Sequence, residues 1–372
     1  MIKNKKKRTL FILLTILFIF NIYSQDQEYP KSFTLENPNK NLNIILMIGD
    51  GMGLSQISAG MYSNKNTSAL EEMEYIGLSK THSYNQLVTD SAASGTAMAC
   101  GEKTYNGVVG INPKNKQLES ILEYCNSKDF STALIATSSI VHATPASFYA
   151  NVNSRSQYED IALQLRYNSV DYFIGGGRKH FNRRSDKRNL IEEMEEEGYR
   201  IVNNLDNYND SNSKKLGFFT YADEPPPINS GRKPALESLV ESTLNKLKND
   251  EKPFFLMVEG SQIDWGGHAN ELAYVVSEFK DFNKAISSAL SFAKKDGNTL
   301  IVVTADHETG GLALKKGNLK RGTVVGDFTT IGHSGSMVPV FSYGPKSELF
   351  KGIYENTAIF SKLKVAVDEF KF

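Results

Sequence analysis

The chain has 372 residues, 40% apolar and 23% charged, with 42 basic and 42 acidic side chains that cancel to a net charge of zero. This is an ordinary globular balance with enough apolar residues for a sizeable core, in one large α/β domain or two smaller ones. It gives no general reason to bind nucleic acid or an anionic membrane.

Residues 1–24 differ from the rest. "MIKNKKKR" carries five positive charges, "TLFILLTILFIF" is apolar, and a polar stretch follows. This order predicts a signal peptide over 1–24, because the apolar run is short for a membrane span. The alternative is an uncleaved anchor. Cleavage near Ser24 removes the five positive charges and takes the formal net charge from 0 to −5. The expected product is exported, periplasmic or secreted, with no stable membrane association after cleavage and no nucleic-acid partner.

From residue 43 onward, nearly continuous apolar runs alternate with helical patterns. "NIILMIG" (43–49), "STALIATSS" (131–139), "VDYFIGG" (170–176), "PFFLMVEG" (253–260), "TLIVVTAD" (299–306) and "VPVFSYG" (338–344) read as buried strands. Their lack of alternation suits parallel strands covered on both faces. Helical stretches at 118–128, 158–168 and 271–295 lie between them. The alternation predicts a doubly wound, mostly parallel central sheet with helices on both faces. Residues 182–235 are charged, Asn/Asp/Ser-rich and Pro-rich, and read as a surface excursion. "IGGGRKHF" (174–181) lacks either nucleotide-loop spacing and reads as a strand-end turn. Cys100 and Cys125 sit in helical patterns, which favours two buried thiols over a disulfide.

Ligands of open α/β sheets bind at the carboxyl ends of the strands. In this chain those points carry Asp50 ("MIGDGMG"), Glu259, Asp264 and His268 ("VEGSQIDWGGH"), Asp306 and His307 ("TADHETGG"), and His333 ("GHSG") before the last strand. Asp264 and His268, four residues apart, share a face if helical. Any one of these is ordinarily a cap or a satisfied core residue. Several segments delivering Asp, Glu or His to one edge point instead to metal, and the number of ligands suggests more than one ion. Asp50, Asp264, His268, Asp306, His307 and His333 suffice for two zinc sites of three protein ligands each. Glu259 and Thr144 offer oxygen only, which suits magnesium. Arg155 offers a planar fork for two oxygens of a tetrahedral anion, although alone it would read as a surface charge.

"VTDSAASGTAMACG" (88–101) is crowded with small residues. Close helix packing is one explanation. The other is a plausible strand end at Val88, then Asp90 and Ser91 opening a helix whose N-terminus suits a phosphate. Bulky side chains would then block that phosphate and its metals. No histidine is near in sequence to act as general base; coordination to zinc can do that job by lowering the hydroxyl pKa.

These motifs, with "HATPASF" (142–148), closely resemble those of the alkaline phosphatase family in their order, over about residues 43–345, and are most similar to its short cold-adapted marine bacterial branch. The resemblance implies one catalytic domain over 25–372 that hydrolyses phosphate monoesters through a phosphoserine at Ser91, with two Zn2+ and one Mg2+. It implies Asp264, His268 and His333 on one zinc and Asp50, Asp306 and His307 on the other. Asp50 would bridge to a magnesium completed by Thr144 and Glu259. Arg155 would clamp the phosphoryl group with Asp90 orienting it, and the molecule would be a homodimer. Two positions depart from the enteric bacterial pattern. His142 replaces an aspartate behind the magnesium, which implies weaker magnesium binding. Trp265 replaces a lysine near the phosphate and can donate only an indole N–H. A phosphodiesterase of the same fold, or a non-catalytic metal- or phosphate-binding relative, are the alternatives. A sulfatase is excluded because no C/S-x-P-x-R stretch occurs.

Overall fold

Among the described residues, ten strands form one sheet, in the order β14-β2-β13-β8-β1-β7-β3-β4-β6-β5. At its centre lie β1 (Asn43–Gly49), β7 (Phe254–Gly260), β8 (Thr299–Thr304) and β3 (Ser131–Ser139). Outward on one side follow β4 (Tyr172–Gly176), β6 (Leu216–Phe219) and β5 (Arg200–Val202). On the other lie β13 (Val338–Tyr343), β2 (Tyr75–Lys80) and β14 (Gly352–Glu355). The computed structural model describes residues 42–167 and 170–369, which fall in one compact unit; the signal peptide predicted over 1–24 lies outside the described residues.

The central strands are buried throughout because both of their faces are covered. Ile44, Leu46 and Ile48 of β1 belong to one core, while Ile45 and Met47 belong to the other. The first core is closed by α2 (Ser91–Cys100), α3 (Ile121–Ser127), α4 (Tyr158–Tyr167) and α8 (Thr357–Asp368). The second is closed by α1 (Leu54–Ser63), α5 (Leu236–Lys248) and α7 (Leu272–Asp296). This is the mixed, mostly parallel sheet between helix layers that the sequence predicts.

Three expectations need correction. The strand 338–343 is not parallel: it runs antiparallel to both β8 and β2, since a run of apolar residues fixes burial but not direction. Residues 182–235 are not simply a surface excursion, because β6 and β5 extend the central sheet and β6 is wholly buried. Val88 does not end a strand; β2 stops at Lys80 and an irregular segment leads to Asp90. The cysteine reading holds: Cys100 and Cys125 are free and buried, and burial pushes both thiols up.

Candidate metal centre

The sheet topology gathers the candidate residues. Asp50 follows β1, Asp306 and His307 follow β8, and His142 and Thr144 follow β3. Glu259 is the penultimate residue of β7, and α6 (Gln262–His268) follows it with Asp264 and His268. The reversed β13 fits the same logic. Its amino end lies at the carboxyl edge of its parallel neighbours, so the residues preceding it, His333 included, reach the same place. A two-residue pairing of β9 (Glu308–Thr309) with β12 (His333–Ser334) sets that loop's register.

The first group is Asp264, His268 and His333, with ligand atoms within 4.8 Å of one another. His268 Nε2 lies 3.3 Å from Asp264 Oδ2 and 3.1 Å from His333 Nε2. The Nδ1–H of His268 donates to the carbonyl of Ile331 at 2.6 Å, and that of His333 to the carbonyl of Thr89 at 2.8 Å. Each carbonyl fixes its ring so that Nε2 faces inward, as ligating imidazoles require. The Asp264 hydrogen bond raises His268 to about 9. Burial, with His307 stacked at 3.5 Å, pushes His333 down to about 4. Burial would raise Asp264, but the three histidines outweigh it and hold the carboxyl below its usual range.

The second group is Asp50, Asp306 and His307, all fully buried. His307 Nε2 stands 3.1 Å from Asp306 Oδ2, 3.5 Å from Asp50 Oδ1 and 3.2 Å from Ser91 Oγ. Asp306 Oδ1 accepts from the backbone N–H of Gly51 and of His307, which leaves Oδ2 turned inward. The third group joins Asp50 to Glu259 and His142, with Thr144 beside Glu259.

Whether these residues suit cations can be judged from their unpaired atoms. Both oxygens of Asp50, Oδ2 of Asp306, Oε1 of Glu259 and Oγ1 of Thr144 are buried without a hydrogen-bond partner. Leaving so many polar atoms unpaired in one place is costly unless something else binds them. Burial, with the charges of Asp306, Asp264 and Glu259, pushes Asp50 well above the carboxylate range. Burial, reinforced by Asp306, brings Glu259 to about 7. Mutually repelling oxygen and imidazole donors of this kind fit divalent cations.

Beside the second group, α2 begins at Ser91, which is 2% exposed. Asp90 caps this helix: its Oδ1 accepts from the N–H of Ala93, while Oδ2 accepts from the N–H of Gly107 and from Arg155 at 3.1 Å. The other terminal nitrogen of Arg155 donates to His142 Nε2 at 3.3 Å. A guanidinium only donates, so Nε2 of His142 is the acceptor and its proton sits on Nδ1. The rings of His142 and Trp265 meet edge-on, 6.1 Å between centroids. The small residues of α2 have a packing reason as well, since all ten are buried. At Gly95 a methyl group would lie 2.7 Å from Ser147 Oγ in the segment that carries Thr144.

A family model for alkaline phosphatase matches residues 41–326. The chain belongs to the alkaline phosphatase family. It is 34% identical to alkaline phosphatase 3 of Bacillus subtilis, over 87% of this chain and 88% of that one. It is 30% identical to the Escherichia coli alkaline phosphatase, over 87% and 86% respectively. Among solved structures it resembles the alkaline phosphatase of the Antarctic bacterium TAB5, with a TM-score of 0.84 and 42% identity over 88% of this chain and 98% of that one. Variants of that Antarctic enzyme, with a histidine changed to Glu or Asp, were solved with Mg bound in the M3 site. The chain is an alkaline phosphatase, a hydrolase of phosphate monoesters.

Every site residue named from the sequence of this alkaline phosphatase lies in one contiguous region of the structure. Sequence reasoning missed Thr309, whose hydroxyl donates to Asp264 and lies 3.2 Å from His307 Nδ1. The signal was present: in "DHET", residues 307 and 309 alternate and so face the same side of a strand. It also missed the carbonyls of Thr89 and Ile331, which no side-chain pattern reveals.

Proposed function

We propose that phosphate monoesters are hydrolysed through a phosphoserine at Ser91, in a site holding two zinc ions and one magnesium. One observation carries this reading: Ser91 Oγ, at a helix N-terminus, faces the group whose carboxylate oxygens lack partners. Asp264, His268 and His333 would hold one zinc, Asp50, Asp306 and His307 the other, and Asp50, Glu259 and Thr144 the magnesium, with His142 behind it. When bound, the zinc ions supply Lewis acidity toward the attacking and leaving oxygens, and lower the pKa of the serine hydroxyl and of water.

The chain's own residues do the rest. The helix N-terminus presents its positive end and free N–H groups to the phosphoryl oxygens. Arg155 has a planar fork for two of those oxygens, and Asp90 holds that fork against α2. Ser91 Oγ attacks phosphorus in line as the ester bond to the alcohol breaks. Water then cleaves the phosphoserine to inorganic phosphate. Positioning and charge neutralisation dominate such transfers. Trp265 offers one N–H and no cation near the phosphate, so among these side chains Arg155 is the one that brings a permanent cation to anion binding. Arg155→Ala is expected to lower kcat/KM by roughly 10- to 100-fold, in line with loss of charged hydrogen bonds. Inhibition by phosphate should weaken in parallel. Arg155→Lys should recover little, because an ammonium cannot form the fork. Full recovery by lysine would show that only charge matters here.

His142 bears on the magnesium. Its ring is pushed down to about 3 by burial and by Arg155, so it brings no negative charge to the third group. The acidic variants of the Antarctic relative, with Mg in their M3 site, support this reading. His142→Asp is expected to tighten magnesium binding about tenfold or more, because affinity follows ligand charge. A magnesium titration of the metal-stripped enzyme measures this, and unchanged affinity would remove His142 from the site's electrostatics.

Export and homodimer formation belong to the same proposal. The first is supported by the pattern over 1–24 and the second by the family resemblance; no helix among the described residues is long and apolar enough to cross a membrane. The test of the function is phosphate release from an aryl phosphate at alkaline pH, before and after chelation. Activity should vanish on chelation and return fully only with zinc and magnesium together. Turnover that survives complete metal removal would refute the reading.

A further inference from the structure

The buried carboxylate of Glu308 is used by none of the three ligand groups. It lies between His307 and Thr309 in sequence, but its side chain points away from theirs into a cradle of neutral donors. Oε1 accepts from Gln56 Nε2 at 2.6 Å and from the N–H of Leu312 at 3.2 Å. Oε2 accepts from the N–H of Gly311 at 3.2 Å and from the hydroxyl of Ser334. The carboxylate thus has two donors on each oxygen. At Gly53, three residues after Asp50, a methyl group would stand 2.3 Å from Glu308 Cγ, so only glycine admits the side chain there. Gln56 Nε2 also donates to the carbonyl of Thr309 at 2.7 Å.

These contacts tie together three segments that carry ligands: the turn and helix after Asp50, the 306–312 segment, and the loop holding His333. Ser334 pairs with Glu308 across the β9–β12 ladder, and His333 pairs with Thr309. The carbonyl of Thr89 sets the rotation of the His333 ring, whereas Glu308 sets where its backbone stands. We propose that Glu308 is a positioning residue that clamps the His333 loop through Ser334, fixing the geometry of the Asp264–His268–His333 group. This rests on the proposed reading of that group as a zinc site. The cradle accounts for burying a charge with no cationic partner among the described residues, since four donors replace its hydration only while all the segments are in place.

The test is a competition titration of zinc with a chromophoric chelator on the full-length wild type and on Glu308→Gln. An amide keeps the shape but turns two hydrogens toward N–H and O–H donors. One zinc equivalent is expected to bind about 10- to 100-fold more weakly, as is usual when a ligand's outer support is lost. The remaining equivalents should keep their affinity, and saturating zinc should restore kcat. Ser334→Ala, which removes one donor of the four, should show a smaller loss of the same kind, and Ser334→Thr should recover it. If Glu308→Gln fails to fold, the serine pair decides the matter. Zinc affinity unchanged in the variants, or activity lost and not recovered by zinc, would make Glu308 a structural anchor and overturn the proposal. A wild type that binds no zinc would instead refute the metal reading itself.

Discussion

Ser91→Ala is expected to lower kcat by at least about a thousandfold, as removal of a covalent nucleophile does. The structure separates this loss from a folding defect. Ser91 is the first residue of α2, and among the described residues its hydroxyl's hydrogen-bond partner is His307. The helix is capped by Asp90, which the substitution leaves alone, and alanine is the best helix former. The lost atom is buried, so the cavity is a single hydroxyl. Ser91→Ala leaves every carboxylate and imidazole of the three ligand groups in place, so metal content should be largely unchanged. An inactive variant with wild-type melting temperature and metal content is the expected result. Substantial turnover in Ser91→Ala would mean that water attacks the ester directly and that no phosphoserine forms.

Asp50→Asn is expected to act on two ions at once, because Asp50 stands in both the second and the third groups. Removing a shared ligand should cost more than the 10- to 100-fold typical of outer-shell support. Elemental analysis should show both of those metals depleted, with the Asp264–His268–His333 metal retained. The stability effect should have opposite signs in the two metal states. With metal, the wild type gains from binding and the variant gains less. Without metal, Asp50 is a buried carboxylate pushed up by burial and by Asp306, Asp264 and Glu259, and the neutral amide relieves that repulsion. The chelated variant should therefore melt at or above the chelated wild type, reversing the order of the metal-loaded proteins. The same order in both states would show that the unpaired oxygens of Asp50 are not a cation site.

What the sequence revealed follows from which physical signals are local. Buried parallel strands such as β1, β7 and β8 are legible because coverage on both faces makes them continuously apolar. Their ends are legible because a parallel sheet collects ligand residues at its carboxyl edge. Asp264 and His268 needed only helical spacing. Direction is not local, so the reversal of β13 was invisible, although it is what brings His333 to the edge. The strands β5 and β6 have three and four residues and sit among Asn, Asp and Ser, so composition hid them. At Val88, β-branched residues before an aspartate looked like a strand end, but the segment belongs to a loop held by Asn106, whose side chain donates to the carbonyl of Val88. The contact of His142 with Trp265 joins the two departures from the enteric pattern, and no spacing in the chain foretells it. The cradle of Glu308 draws donors from three segments and is likewise invisible without the fold.

The most direct measurement is to quench the enzyme during turnover of an aryl phosphate, digest it, and locate any covalently bound phosphoryl group by mass spectrometry. A single phosphoryl group is expected on the peptide carrying Ser91, absent from Ser91→Ala and from enzyme stripped of metal. A phosphoryl group on another residue, or none on an enzyme that is rapidly turning over, would contradict it.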